Sequence, residues 1–160
     1  MLAVKLICVG KMKEKHLISA YEEYEKRLGA YCRFELTELP EQRLSDNPSG
    51  KEIAAALEKE AAEIEKQIPA GAAVVAMCVE GTPKSSVELA QQISAWTNAG
   101  KSKICFLVGG SFGMSETIKK KADLRLSVSK MTFPHHLFRV MLAEQIYRAF
   151  TILEGTRYHK

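Results

Sequence analysis

The stretch that decides the fold is ICFLVGGSFGMSETIKKKADLRLSVSKMTFP, Ile104 to Pro134. An apolar run, Ile104–Val108, stops at Gly109-Gly110, and Gly113 follows closely. Ser115 is placed to cap a short helix over Glu116–Ala122, and Leu124–Val128 reads as a further small strand. The segment closes in Ser129-Lys130-Met131-Thr132-Phe133-Pro134, an irregular loop leading into a long apolar helix. Loops at the C-terminal ends of buried strands are where open α/β sheets take ligands. Glycine, lacking Cβ, lets the backbone approach a ligand closely. Two such loops in succession predict a nucleotide-like pocket.

Working outward, the same alternation of strand and helix fills the chain. Leu2–Val9 is a β-rich run ended by Gly10, and Leu17, Tyr21, Tyr24 and Leu28 give Glu14–Leu28 a helical stripe. Cys32–Leu39 alternates as a strand, and Pro40–Gly50 is rich in turn residues and is expected to be a mobile loop. Ile53, Leu57, Ala61, Ile64 and Ile68 line one face of a helix over Lys51–Ile68, stopped by Pro69. Ala72–Val79 is apolar almost throughout, as in a strand covered on both faces. After a turn at Glu80-Gly81-Thr82-Pro83, Ser85 and Glu88 form a capping box for a helix to about Asn98. The last helix, His136–Glu154, is apolar on more than one face, which predicts burial on two sides and hence a homodimer. Strands alternating with helices predict a three-layer α/β sandwich with a mostly parallel sheet.

At 160 residues the chain is expected to be one domain, 1–160, with a tail at 156–160. Its 46% hydrophobic and 26% charged residues suit a globular core without staples. No apolar run approaches the ~20 residues that span a bilayer. Met1–Gly10 is followed, not preceded, by Lys11, Lys13 and Lys15, the wrong order for a signal peptide, so a cytoplasmic location is expected. Cys8, Cys32, Cys78 and Cys105 lie in apolar runs without metal-ligand spacing and are read as reduced thiols, with no metal site. Net charge is +4, yet residues 1–100 carry −3 and residues 101–160 carry +7. Basicity concentrated beside the expected pocket points to a polyanion such as nucleic acid.

Gly109-Gly110-Ser111-Phe112-Gly113 matches neither G-x-G-x-x-G nor a Walker A loop, and Val9-Gly10-Lys11 carries no dinucleotide fingerprint. The residues argue against a Rossmann dehydrogenase or an NTPase, and leave the glycine turn as either a tight structural turn or a ligand cradle. Met131 and Phe133 beside Ser129 and Thr132 suit a flat base held by apolar contact and backbone hydrogen bonds, or are simply core. His135 and His136 open a helix at its positive end, which disfavours their protonation and leaves a neutral imidazole able to accept a proton. Lys119-Lys120-Lys121 with Arg125, and the tail Thr156-Arg157-Tyr158-His159-Lys160, are candidate RNA contacts or solvated surface. A ribosome- or RNA-binding module without catalysis remains the alternative to an enzyme.

Taken jointly, several motifs carry a resemblance over essentially the whole chain. They are Gly109-Gly110-Ser111-x-Gly113, Leu126-Ser127-x-Ser129-x-Met131-Thr132-Phe133-Pro134-His135, Arg139-Val140, Glu144-Gln145-x-Tyr147-Arg148-Ala149 and Tyr158-His159-Lys160. Together with Val9-Gly10-Lys11 and Glu22–Leu28, they resemble the bacterial RlmH family of SPOUT-class methyltransferases. The resemblance implies a C-terminal deep trefoil knot, a homodimer and S-adenosylmethionine as cofactor. It further implies methylation at N3 of a pseudouridine in helix 69 of 23S ribosomal RNA, on the assembled ribosome. Carried over by position, cofactor contacts fall on Met77, Gly109, Val128, Ser129, Lys130, Met131, Thr132 and Phe133. Family members often place Leu-Asp or Leu-Glu where this chain has Met77-Cys78, which removes a polar contact and keeps an apolar one. For the chemistry, His135 or His159 is expected near the acceptor, with Arg139 and Arg157 on RNA phosphate. Tyr158, Lys160, Lys119 and Lys120 are expected to contact RNA.

Overall fold

A computed structural model describes residues 1–160. Five strands and five helices follow one another as β1 (Ala3–Val9), α1 (Lys15–Leu28), β2 (Arg33–Leu39), α2 (Gly50–Gln67), β3 (Ala73–Pro83), α3 (Ser86–Asn98), β4 (Lys103–Val108), α4 (Glu116–Lys119), β5 (Leu124–Ser127) and α5 (His135–Leu153). The strands form a single sheet in the order β2-β1-β4-β3-β5, and every neighbouring pair is parallel. All strand C-termini, and the loops that follow them, therefore share one edge.

The period-two patterning of the strands builds the layers. Val4, Leu6 and Cys8 of β1, Val75 and Met77 of β3, and Ile104, Phe106 and Val108 of β4 face α1, α3 and α5. From those helices come Tyr21, Leu28, Leu89, Ile93, Leu142 and Ile146. The intervening residues, Ile7, Val9, Val74, Ala76, Cys105 and Leu107, turn the other way onto Ala61 and Ile64 of α2 and Ile118 of α4. The result is the expected three-layer α/β sandwich. Cys8, Cys32 and Cys105 are buried free thiols, and burial pushes each up to about 12.

Element ends differ from the sequence expectations where the chain has competing partners. The turn expected at Glu80–Pro83 is instead the far end of β3: residues Cys78–Gly81 bulge, so that Met77 and Thr82 both align with Leu126 of β5. A Cβ on Gly81 would lie 2.8 Å from the carbonyl carbons of Arg125 and Leu126, so only glycine fits this crossing. Helix α2 opens with a capping box not foreseen, in which Ser49 and Glu52 exchange side-chain and backbone bonds. α4 stops at Lys119 rather than Ala122, and β5 at Ser127, leaving Val128 to the loop. Within residues 40–50, Glu41 Oε1 accepts from Ser111 N at 2.8 Å and Glu60 Oε2 accepts from Gln42 N at 2.8 Å. No helix is long and apolar enough to cross a membrane.

Candidate active site

The bulged end of β3 and the loops after β4 and β5 line a cavity of about 470 Å³ at the C-terminal edge of the sheet. One wall is the glycine hairpin. Its turn is closed by Gly113 N donating to Gly110 O at 3.0 Å, with Gly113 at φ +82°. A Cβ on Gly109 would sit 2.4 Å from Gly113 O, so the hairpin closes only because position 109 has no side chain. Behind it, Ser115 Oγ accepts from Ile118 N at 3.4 Å and caps α4.

The facing wall is the Val128–Pro134 loop, shaped by two serines. Ser127 Oγ donates to Ser129 O at 2.9 Å, and Ser129 Oγ accepts from Met131 N at 3.0 Å. Met77, Val108, Leu126, Met131, Phe133 and Phe138 make much of the cavity apolar. Met131 and Phe112 are 74% and 49% exposed, which is costly unless a flat apolar partner covers them. Slots of this kind, apolar with convergent backbone polar groups, are the usual form of small-molecule sites.

The sequence-derived positions divide clearly. Met77, Gly109, Val128, Ser129, Met131, Thr132 and Phe133 all line the cavity, as do Lys119 and His135; Lys130 and Lys120 do not. Lys119 is committed to Glu80, its Nζ 2.5 Å from Oε1 and its side chain only 13% exposed. Glu80 also lines the cavity and was not anticipated; Lys119 holds its carboxyl below the usual range. The one hint was a charged residue beside Gly81. Cys78 lines the cavity as well, and burial raises its thiol.

Arg139 departs from the role expected of it. It is 1% exposed, with Nη1 2.5 Å from Glu38 Oε2 and Nη2 donating to Gly10 O at 3.0 Å. A guanidinium so enclosed is not free to hold RNA phosphate; it ties α5 to the ends of β1 and β2. His159 lies at the other end of α5, its Nδ1 3.2 Å from Arg148 Nη1. Tyr158 OH donates to Glu144 Oε1 at 3.0 Å, and its ring meets Tyr147 edge-on at 4.8 Å. Arg157 and Lys160 are exposed. No group of three or more His, Cys, Asp or Glu side chains is placed to hold a metal ion.

His135, at the start of α5, is the histidine that lines the cavity. Burial first, and then the neighbouring His136, push its pKa below the ordinary histidine value. Unfolded, His135 takes up a proton as pH falls through about 6.5, while the native imidazole resists it. Stability attributable to this group is therefore intact above that pH and is lost as pH drops toward the depressed native value. Melting temperature measured from pH 7.5 to 5.5 is expected to fall less for His135→Asn than for the unsubstituted protein; parallel curves would refute the assignment.

Comparison with known proteins fixes the class. The family model described as "Predicted SPOUT methyltransferase" matches residues 2–159. Two solved methylase-family proteins, from Haemophilus influenzae and Neisseria gonorrhoeae, share the fold at TM-scores of 0.55 and 0.53. Their identities are 12% and 11%, and the matches cover 98% and 90% of this chain and 70% and 81% of theirs. The chain belongs to the SPOUT methyltransferase family and is a methyltransferase. Among its relatives, the proteins named ribosomal RNA large subunit methyltransferase H from Clostridium kluyveri and Bacillus pumilus are 46% and 43% identical. Each match spans 157 residues, 98% of this chain and 99% of the relative.

Proposed function

We propose that the protein methylates N3 of a pseudouridine in helix 69 of 23S ribosomal RNA, on the assembled ribosome, with S-adenosylmethionine as donor. The observation that carries this reading is the pairing of the glycine hairpin with the Ser129–Pro134 loop around one cavity. The names of its relatives and the +7 charge of residues 101–160 support RNA as the substrate. A cytoplasmic location follows from a ribosomal substrate.

The residues present fit an adenosyl group. Met77, Val108 and Leu126 offer apolar contact, and the backbone of Val128–Phe133 supplies directional donors and acceptors. The Cβ-free edge at Gly109 allows close approach. When bound, S-adenosylmethionine supplies a methyl group on a positively charged sulfur. The protein's part is positioning, because in-line alignment supplies roughly 7–11 kcal/mol of a transfer barrier. His135, kept neutral at the cavity, accepts the N3 proton of the target base.

A dimer completes the site. The 19-residue helix α5 extends about 28 Å at 1.5 Å per residue. The six residues from Glu154 to His159 reach at most about 22 Å, so His159 serves a partner's cavity rather than its own. Leu137, 38% exposed, and Val128, 40% exposed, give α5 and the loop an apolar face for that partner. Arg157, Tyr158 and Lys160, with Lys120, then contact RNA. Membership of the SPOUT methyltransferase family supports the trefoil knot, in which the chain after β5 threads a preceding loop.

Thermal denaturation tests the cofactor assignment. S-adenosylhomocysteine at a hundredfold over its Kd stabilises by about 2.7 kcal/mol, a rise of roughly 5–11 °C for a domain of this size. NAD and ATP should leave the melting temperature unchanged. No shift with the adenosyl ligand, or an equal shift with the others, would sink the reading.

A further inference from the structure

Next to the cavity's walls, though not lining it, runs a segment that the chemistry above does not use, Gly10–Lys15. Glu41 joins it to the glycine hairpin. A Cβ on Gly10 would lie 3.6 Å from Glu41 Oε2, and one on Gly110 would lie 2.6 Å from Oε1, so one carboxylate fills the gap between the two glycines. Arg139 Nη2 bonds Gly10 O, and His136 Nδ1 lies 2.7 Å from Glu14 Oε2, which ties the same segment to the first turns of α5. Gly10–Lys15 is thus fastened both to the hairpin and to the helix that follows the Ser129–Pro134 loop.

Its charges are sorted. The three acids of this region all turn toward protein partners: Glu14 to His136, Glu38 to Arg139 and Met12 N, and Glu41 to Ser111 N. Lys11, Lys13 and Lys15 are exposed and form no ion pair, whereas Lys119, Lys121 and Arg125 are all paired with glutamates. The helix ends add to the same sign. First turns of α2, α3 and α4 carry Glu52, Glu88 and Glu116, whereas the first turns of α1 and α5, which meet here, carry none, and the N-cap acid of α1, Glu14, is turned to His136. Cations at a helix N-terminus are locally unfavourable, and a rule broken without local gain marks a surface shaped by a partner.

We infer that Lys11, Lys13 and Lys15 form a phosphate-binding rim that grips the RNA backbone flanking the base presented to the cavity. The inference rests on the RNA-methyltransferase reading and extends it to a surface distinct from Lys119–Lys121 and the tail. An enzyme acting on a base must draw it out of its stack, and contacts to the neighbouring phosphates hold the strand while it does so.

The test compares the full-length variant K11Q/K13Q with K26Q/K103Q. The latter removes the same charge from exposed, unpaired lysines at the opposite edge of the sheet. Binding to ribosomes lacking the modification is measured across salt concentrations, alongside calorimetric titration with S-adenosylhomocysteine. K11Q/K13Q should weaken RNA binding at least tenfold and reduce the salt slope by about 1.4–1.8, at 0.7–0.9 per phosphate contact, with cofactor affinity unchanged. K26Q/K103Q should stay within threefold of the unsubstituted protein. Equal RNA affinity and slope in the two variants would overturn the rim. Failure of the unsubstituted protein to bind S-adenosylhomocysteine would instead overturn the functional reading on which the rim rests.

Discussion

Deleting Arg157–Lys160 is expected to lower methyl transfer by about 10²-fold or more, the usual cost of a misplaced reacting group, while cofactor affinity stays unchanged. The tail touches none of the cavity of its own subunit. It packs at the far end of α5, where Tyr158 meets Tyr147 and Glu144 and where His159 meets Arg148. A loss of turnover with intact cofactor binding therefore places the tail's role on RNA or on the cavity of a second copy. Mixed dimers make the point sharper. A tail-deleted subunit keeps its cavity, and a Gly109→Val subunit keeps its tail but loses the hairpin. Mixed, they should recover one working site per heterodimer, whereas each alone is inactive. If the mixture is as inactive as its parents, or if the deletion leaves turnover intact, the composite site is wrong.

Replacing Arg139 with alanine is expected to cost about 3–5 kcal/mol, since it leaves Glu38 facing a partly buried space without its counter-charge. For a domain of this size the melting temperature should drop by roughly 6–20 °C. Glu38 Oε2 also accepts from Met12 N at 2.9 Å, and Gly10 O would lose its bond from Nη2. The native arrangement is itself imperfect, because Arg139 Nε is buried without a partner. Removing both charges should therefore be tolerated better than removing one: Glu38→Gln with Arg139→Met should regain at least half of the lost stability. An Arg139→Ala protein melting within 2 °C of the unsubstituted one would show that the ion pair is dispensable.

Arg139 also shows what a sequence can and cannot convey. An arginine on a helix after a candidate ligand loop reads as a phosphate contact, because arginines are rarely buried. Its burial depends on Glu38, a hundred and one positions away, and on a carbonyl at the end of β1. Neither partner has any local signature. By contrast, β1 and β4 are almost continuous apolar runs, the mark of strands covered on both faces, so their place between two helical layers is legible directly. The two loops of the cavity are legible for the same reason: glycine and serine-rich punctuation ends a buried strand. Glu80 and the far end of β3 were not, because Gly81-Thr82-Pro83 is turn chemistry. Pairing with β5 overrides it. The Ser49 capping box is masked by the proline- and glycine-rich segment before it, although its Glu52 stands at the required spacing. Long-range pairing thus accounts for most of what the residues alone concealed.

The most direct test of the whole account is to incubate ribosomes lacking the modification with the protein and methyl-labelled S-adenosylmethionine, and then map the labelled nucleotide. The account predicts label at one pseudouridine in helix 69 of 23S ribosomal RNA, and none with Gly109→Val. Label in another RNA, or none from a protein that binds the cofactor, would contradict it.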